Sequence, residues 1–373
     1  MRFKTMARPA LLALLAGGLA AAGGARAASS GGGGPALAYV SNQNGDIGVI
    51  DLATLTTTAS VSAYGKEPRG IGITADGKLL VVANRDGGRL AVIDRASGRL
   101  LHHVAVGDNP EFVRVRGHLA FVTCEPSSTA GPPGAAASAP GAGAATASGA
   151  ASGTADDDDA REPAHIAVVD LDTGRLVRSI TGGLETEGIE FSADGRRLLV
   201  TNEADDNVSV HDIETGDRVR TIDLKPYGTR PRGIRMAPDG RRFVVTLESS
   251  NAFVVIDESY RVVRSVKTGD APYGVAFDRA GKRLFVAAAR SRTLQVFDAD
   301  TFAPVKDIAT GTRCWHFSFT PDDRHILVAC GRSNEIVVID ARSLEPVKRI
   351  ADGQLPWAIV TWPKAAGSVD RAE

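Results

Sequence analysis

The chain has 373 residues, a formal net charge of −1, and 41 Gly and 18 Pro spread in turn-like clusters. Near-neutral charge excludes a dedicated nucleic-acid binder, and three Cys exclude a disulfide-dense scaffold. A hydrophobic share of 43% supports a sizeable core, while 23% charged residues exclude a membrane bundle.

At the amino terminus Arg2, Lys4 and Arg8 precede an apolar stretch over 10–22, and Ala25-Arg26-Ala27 follows as an A-x-A cleavage site. This order predicts a secretory signal peptide over 1–27, followed by a flexible lead over 28–36. The apolar stretch is short and broken by Gly17 and Gly18, so no transmembrane segment is expected in the mature chain. Export predicts a periplasmic location, where a disulfide can persist.

From the first strand onward a tripeptide recurs: Val49-Ile50-Asp51, Val92-Ile93-Asp94, Val168-Val169-Asp170, Val210-His211-Asp212, Val255-Ile256-Asp257, Val296-Phe297-Asp298 and Val338-Ile339-Asp340. The Asp positions are 43, 76, 42, 45, 41 and 42 residues apart. The long interval contains an Ala/Gly/Ser/Pro tract over 127–163 that ends in the acid run 156–159. It has no apolar periodicity, and is expected to be a disordered insertion. Each repeat holds four short strand candidates, rich in Val and Ile, with turns such as Pro238-Asp239-Gly240 between them.

Four strands per 40–45 residues is the arithmetic of a propeller blade. Seven anchors predict an all-β fold over 37–363: a seven-bladed β-propeller of four-stranded antiparallel blades. The first repeat, at Ala38-Tyr39-Val40, lacks an innermost strand, and the segment from Pro356 to Thr361 is an innermost strand with no blade after it. The ring is therefore expected to close with three N-terminal strands plus one C-terminal strand. Residues 364–373 remain as a tail.

Tyr39-Val40-Ser41-Asn42 and the recurrent order P-x-G, S-x-D-G-K/R, V-x-N, V-x-V-I-D resemble the YVTN-repeat β-propellers. Asn109-Pro110-Glu111, Glu187-Gly188, Arg230-Pro231-Arg232, Cys314-Trp315 and Pro356-Trp357 resemble, in their order, the seven-bladed propeller proteins associated with PQQ-dependent catabolism. The resemblance implies an exported protein belonging to a system with PQQ-dependent alcohol dehydrogenases and a transporter. The chain departs from that pattern at Leu184-Glu185-Thr186-Glu187, where Pro is expected, a change that could shift the loop carrying Glu187 by one residue.

In a propeller, the segments starting each innermost strand and those leaving each second strand share the face at the channel mouth. The starting positions are Arg69, Glu111, Glu187, Arg232, Tyr273, Trp315 and Trp357. The leaving positions include Asn42, Asn84, Arg85, Cys124, Glu125, Asn202, Glu203, Glu248 and Arg290. Two readings stand: a polar ligand pocket with aromatic walls, or Arg–Glu bridges that plug the ring. Cys314 and Cys330 flank one tight turn nearly opposite each other and are expected as a disulfide, with a reduced buried pair as the alternative.

Cys124, Cys314, His316 and Cys330 have no closed metal-site spacing, so no metal is expected. No G-x-S-x-G elbow and no C-x-x-C-H haem attachment occur, and no cofactor is expected. The expectation is thus an exported binding or interaction protein, accessory to a PQQ-dependent alcohol oxidation and transport system. Its partner would be a small organic ligand, a periplasmic dehydrogenase or a transporter component. The alternative is a propeller enzyme, a lactonase-type hydrolase or a dehydrogenase subunit, with its site at the channel mouth.

Overall fold

Each recurring Asp closes a turn. Asp51 Oδ1 accepts the Thr54 N–H at 2.8 Å, Asp94 that of Ser97 at 2.8 Å, Asp298 that of Thr301 at 2.7 Å and Asp340 that of Ser343 at 2.7 Å. Asp170, Asp212 and Asp257 make the same bond to Thr173, Thr215 and Ser259. A carboxylate that accepts backbone N–H groups two or three residues ahead reverses the chain. Hydrogen bonds from the backbone and side chains of these turns, led by the Ser97 hydroxyl at Asp94 and the Arg261 N–H at Asp257, hold all seven carboxyls below the usual Asp range. The Asp therefore marks the end of the third strand of every blade.

The computed structural model describes residues 35–126, 162–351, 353–367 and 370. The predicted signal peptide, most of the lead and all but the last two residues of the predicted insertion lie outside them. The described chain forms seven four-stranded antiparallel sheets, a seven-bladed β-propeller. Blade one joins Leu37–Asn42, Ile47–Asp51 and Thr56–Val61 to Pro356–Trp362, so the ring closes as the sequence predicts. Blades two to seven span 66–105, 110–181, 186–223, 231–267, 272–309 and 314–351. The insertion separates the second and third strands of blade three.

Burial falls from the axis outward. In blade five, Pro231–Met236, Phe243–Leu247 and Ala252–Ile256 are wholly buried, while Val262–Lys267 is mostly exposed. The core lies between blades: Ile71, Val113, Ile189, Ile234, Val275, Phe317 and Ile359 hold the same position on the seven innermost strands, and all are buried. Each such side chain contributes about 1.5–3 kcal/mol on burial. On the outer strands single apolar residues such as Val177, Val219, Val263, Val305 and Val347 are exposed. Most have Arg or Lys within two residues, which discourages edge-to-edge pairing. Two short 3-10 turns, Glu248–Ser250 and Gly331–Ser333, are the only helical segments among the described residues.

The tail does more than trail away. The Phe319 N–H donates to the Ala366 carbonyl at 2.8 Å, and Gly367 bridges Ser318 at the base of blade seven. The carboxylate of Asp370 is buried at the base of the channel. It accepts the Ile73 N–H at 3.0 Å and the Val115 N–H at 3.4 Å, and pairs with Lys364 at 3.1 Å and Arg114 at 3.5 Å.

Candidate functional site at the channel mouth

Every innermost strand begins the same way. The residue before its first buried position is left-handed: Glu67, Asn109, Glu185, Arg230, Ala271, Arg313 and Leu355 have φ between 47° and 59°. Pro follows in five blades, Thr186 in blade four and Cys314 in blade seven. A register shift comes next, as between Pro231 and Ile234, and it turns the mouth residue toward the axis. Thr186 pairs with Asn202 as Pro231 pairs with Leu247. The absence of Pro therefore does not displace the loop, and Glu187 occupies the same position as Arg232.

Hydroxyls from the second strands staple this bulge to the next blade. Thr201 Oγ1 accepts the Gly188 N–H and donates to the Arg232 carbonyl, both at 2.7 Å. Thr246 Oγ1 accepts the Gly233 N–H at 2.9 Å and donates to the Tyr273 carbonyl at 2.7 Å. Ser41 and Thr123 donate equivalently to the carbonyls of Arg69 and Glu187. Sequence reasoning missed these four residues, although each is the hydroxyl of a V-S-N or V-T-x triplet. Gly188 must lack a Cβ for this approach, since one would lie 2.6 Å from the Arg232 carbonyl oxygen.

The mouth residues so positioned form one charged network. Arg232 pairs with Glu187, Glu203 and Glu248, its Nε reaching Glu248 Oε2 at 2.7 Å. Its guanidinium lies 5.0 Å from the centre of the Tyr273 ring, whose hydroxyl is 3.3 Å from both Glu187 oxygens. Arg230 joins Glu203 and Glu248 from the rim. On the facing side Arg69 pairs with Glu111, and Arg85 stands 3.9 Å from Glu111 and 3.7 Å from Glu67. Beneath the charges lies an aromatic layer. The His316 ring centre is 4.5 Å from that of Trp357, 5.3 Å from that of Tyr273 and 5.7 Å from that of Phe112. Six of the seven predicted mouth residues take part in this charged network or its aromatic layer. Trp315 is buried in the same apolar cluster as Phe112, Tyr273 and Trp357 and also packs against Gly331, where an added Cβ would collide with its ring.

The pairing is incomplete. Glu111 Oε2, Glu125 Oε1 and Arg69 Nε are buried and make no hydrogen bond. Buried polar atoms are nearly always satisfied, so an unsatisfied set at a channel mouth points to a ligand. Burial pushes the Glu125 carboxyl well above the usual carboxylate range, and the charges of Glu111 and Glu187 add to the effect. Burial also raises Glu187, helped by Glu111 and opposed by Arg232. Glu248 is the converse: burial works against its charge, but Arg232, Arg230 and Arg313 hold it below its ordinary value. Burial, with Arg235 and Arg232 nearby, pushes His316 down to about 3, so its ring is neutral in the aromatic layer. The site therefore sets carboxyl groups whose pKa values are pushed in opposite directions beside fixed guanidinium donors, the components of general acid–base chemistry at a carbonyl.

Cys314 and Cys330 face each other in register and are disulfide-bonded. Cys124 is a buried free thiol. No group of three or more His, Cys, Asp or Glu among the described residues is arranged to hold a metal ion.

Comparison with known proteins gives two partial family matches. A model of seven-bladed β-propeller lactonases matches residues 36–116, and a model of the cytochrome D1 heme domain matches residues 160–301. No curated protein matches the sequence. Among solved structures, a functionally unknown protein from Desulfotomaculum acetoxidans is 15% identical with a TM-score of 0.70, covering 87% of this chain and 98% of its own. The periplasmic gluconolactonase of Pseudomonas aeruginosa is 17% identical with a TM-score of 0.69, covering 88% of this chain and 99% of its own. The hydrazine synthase of Kuenenia stuttgartiensis is 20% identical with a TM-score of 0.66, covering 82% and 92%. At these identities the likeness is one of fold.

A heme does not fit the mouth as built. Its Arg and Glu side chains are buried against one another, and His316 is enclosed by three aromatic rings.

Proposed function

We propose that this propeller is an exported hydrolase of small lactones, acting at the channel mouth. The observation that carries the reading is the set of unsatisfied buried atoms on Glu111, Glu125 and Arg69, where burial of the Glu125 carboxyl favours its protonated form. The partial match to the lactonase propellers and the fold shared with a gluconolactonase support it. Glu111, oriented by Arg69, takes a proton from water as the water oxygen bonds to the lactone carbonyl carbon. The guanidinium of Arg69 faces the negative charge that develops on the carbonyl oxygen. The ring C–O bond then breaks, Glu125 gives its proton to the departing oxygen, and a hydroxy acid results. A proton passing from Glu111 to Glu125, through solvent, restores both. The leader over 1–27 supports a periplasmic site of action.

The test is acid release from a panel of sugar-acid lactones, followed with a pH indicator. Wild-type protein is expected to turn over at least one of them, and Glu111→Gln and Glu125→Gln each to lower kcat about 100-fold or more. No turnover across the panel, or turnover indifferent to both substitutions, overturns the reading. The motif order that resembles the PQQ-associated propellers favours a second reading, an accessory to alcohol oxidation that binds a dehydrogenase or transporter component. Co-purification of such a protein from the periplasm, without lactone turnover, would support it.

A further inference from the structure

Across the mouth from Glu111 and Glu125 lies a second set of charges that the hydrolytic step does not use. Arg313 precedes the innermost strand of blade seven and is 6% exposed. Its Nε and Nη2 make no hydrogen bond, and its nearest acid is Glu248, with Nη1 3.9 Å from Oε1. Glu248 is already engaged through its other oxygen, by Arg232 at 2.7 Å and Arg230 at 3.8 Å. Arg313 thus has only a share of one carboxylate.

Two further arginines flank it. Arg332 leaves the second strand of the same blade, and its N–H bonds the carbonyl of Thr312, next to Arg313. Arg290 leaves the second strand of blade six, its N–H bonding the Asp270 carbonyl. Both side chains are exposed, and neither makes an ion pair among the described residues. The carboxylate of Asp270 is engaged by Asn251 at 3.1 Å. Burial and the repulsion of Arg332 and Arg290 lower the Arg313 pKa, so the cluster disfavours its own charge. A buried guanidinium with two idle donors and two cationic neighbours is a fork suited to an anion with two coplanar or tetrahedral oxygens.

The geometry points to an anion subsite formed by Arg290, Arg313 and Arg332, so that the ligand taken at the mouth is a small organic anion bearing a carboxylate or phosphate. This deepens the reading of the mouth as a ligand site and rests on it.

The experiment titrates purified protein with inorganic phosphate, gluconate, glucose 6-phosphate and, as the uncharged control, glucose, by calorimetry at low ionic strength. Phosphate and at least one organic anion are expected to bind, and glucose is not. Arg313→Gln and Arg332→Gln are each expected to weaken the anion Kd about tenfold or more, and added salt to weaken it progressively. Arg332 is exposed, so its variant reports on binding even if the Arg313 variant fails to fold. Gluconate binding without phosphate binding identifies a carboxylate as the ligand group, and the reverse identifies a phosphate; either upholds the subsite. Absence of any anion binding, or binding equal in wild type and the Arg332 variant, overturns it. Wild-type turnover of an uncharged lactone with no anion binding sinks the subsite and leaves hydrolysis standing. Anion binding lost in the variants, with no lactone turnover, upholds the subsite and counts against hydrolysis.

Discussion

Glu125 leaves blade three at the mouth with its carboxyl buried and one oxygen unpaired. Its raised pKa makes the folded state bind a proton more tightly than the unfolded chain does. Stability is therefore lost as pH rises from the unfolded value near 4.5 toward the folded one, at about 1.4 kcal/mol per pH unit for one proton. Glu125→Gln removes that slope. The variant's Tm, compared with wild type, is expected to rise as pH climbs from about 4.5 toward the raised folded value; a constant difference in thermal melts would show that Glu125 is ionised when folded. Glu187 has the same sign but is present in both proteins, so its effect cancels. Residue types at the mouth were legible from their position before each innermost strand. That Arg and Glu would bridge there stood only as one of two readings; which partners meet, Arg69 with Glu111 and Glu187 with Arg232, is fixed by neighbouring blades. The contributions of Glu203 and Glu248 to Arg232 were not legible, since they depend on the depth to which each side chain reaches.

At the scale of the strand, the mouth is held by backbone geometry rather than by its charges. The left-handed residue, the bulge and the second-strand hydroxyl recur together, and they place Arg69, Glu187, Arg232 and Tyr273 on fixed carbonyls. Thr246→Val removes a buried hydroxyl and strands the Gly233 N–H and the Tyr273 carbonyl. It is expected to cost about 1–3 kcal/mol in urea unfolding, with Thr246→Ser restoring most of it. An unchanged urea midpoint in Thr246→Val would show that the hydroxyl staple contributes nothing to stability. The period and the turn Asp were readable because each turn is a local device, repeated seven times. The hydroxyl staple was hidden in a short triplet whose partner lies one blade away. Phe112 was hidden for another reason: it sits where blades two, four, five and six carry Gly, and only the closed ring brings it against His316.

For the whole molecule, blade count and ring closure followed from the anchors, because a ring of repeats leaves one blade to be completed by the two ends. The role of the tail did not follow, since nothing periodic marks Asp370. Truncation after Pro363 would leave the Ile73 and Val115 N–H groups unpaired and remove a carboxylate from Arg114. The expected loss is about 2–3 kcal/mol, read as a lower urea midpoint with an unchanged m-value. An unmoved midpoint would show that Asp370 contributes nothing to the fold.

The buried seat of Asp370 also bears on traffic. With Arg114, Glu190 and Arg235 joined across the base and the tail's carboxylate set among them, the channel is a vessel with a floor, not a conduit. Whatever reaches the mouth must leave through the same doorway. A hydroxy acid formed there would stand in the path of the next lactone, so accumulated product would slow the reaction by occupancy.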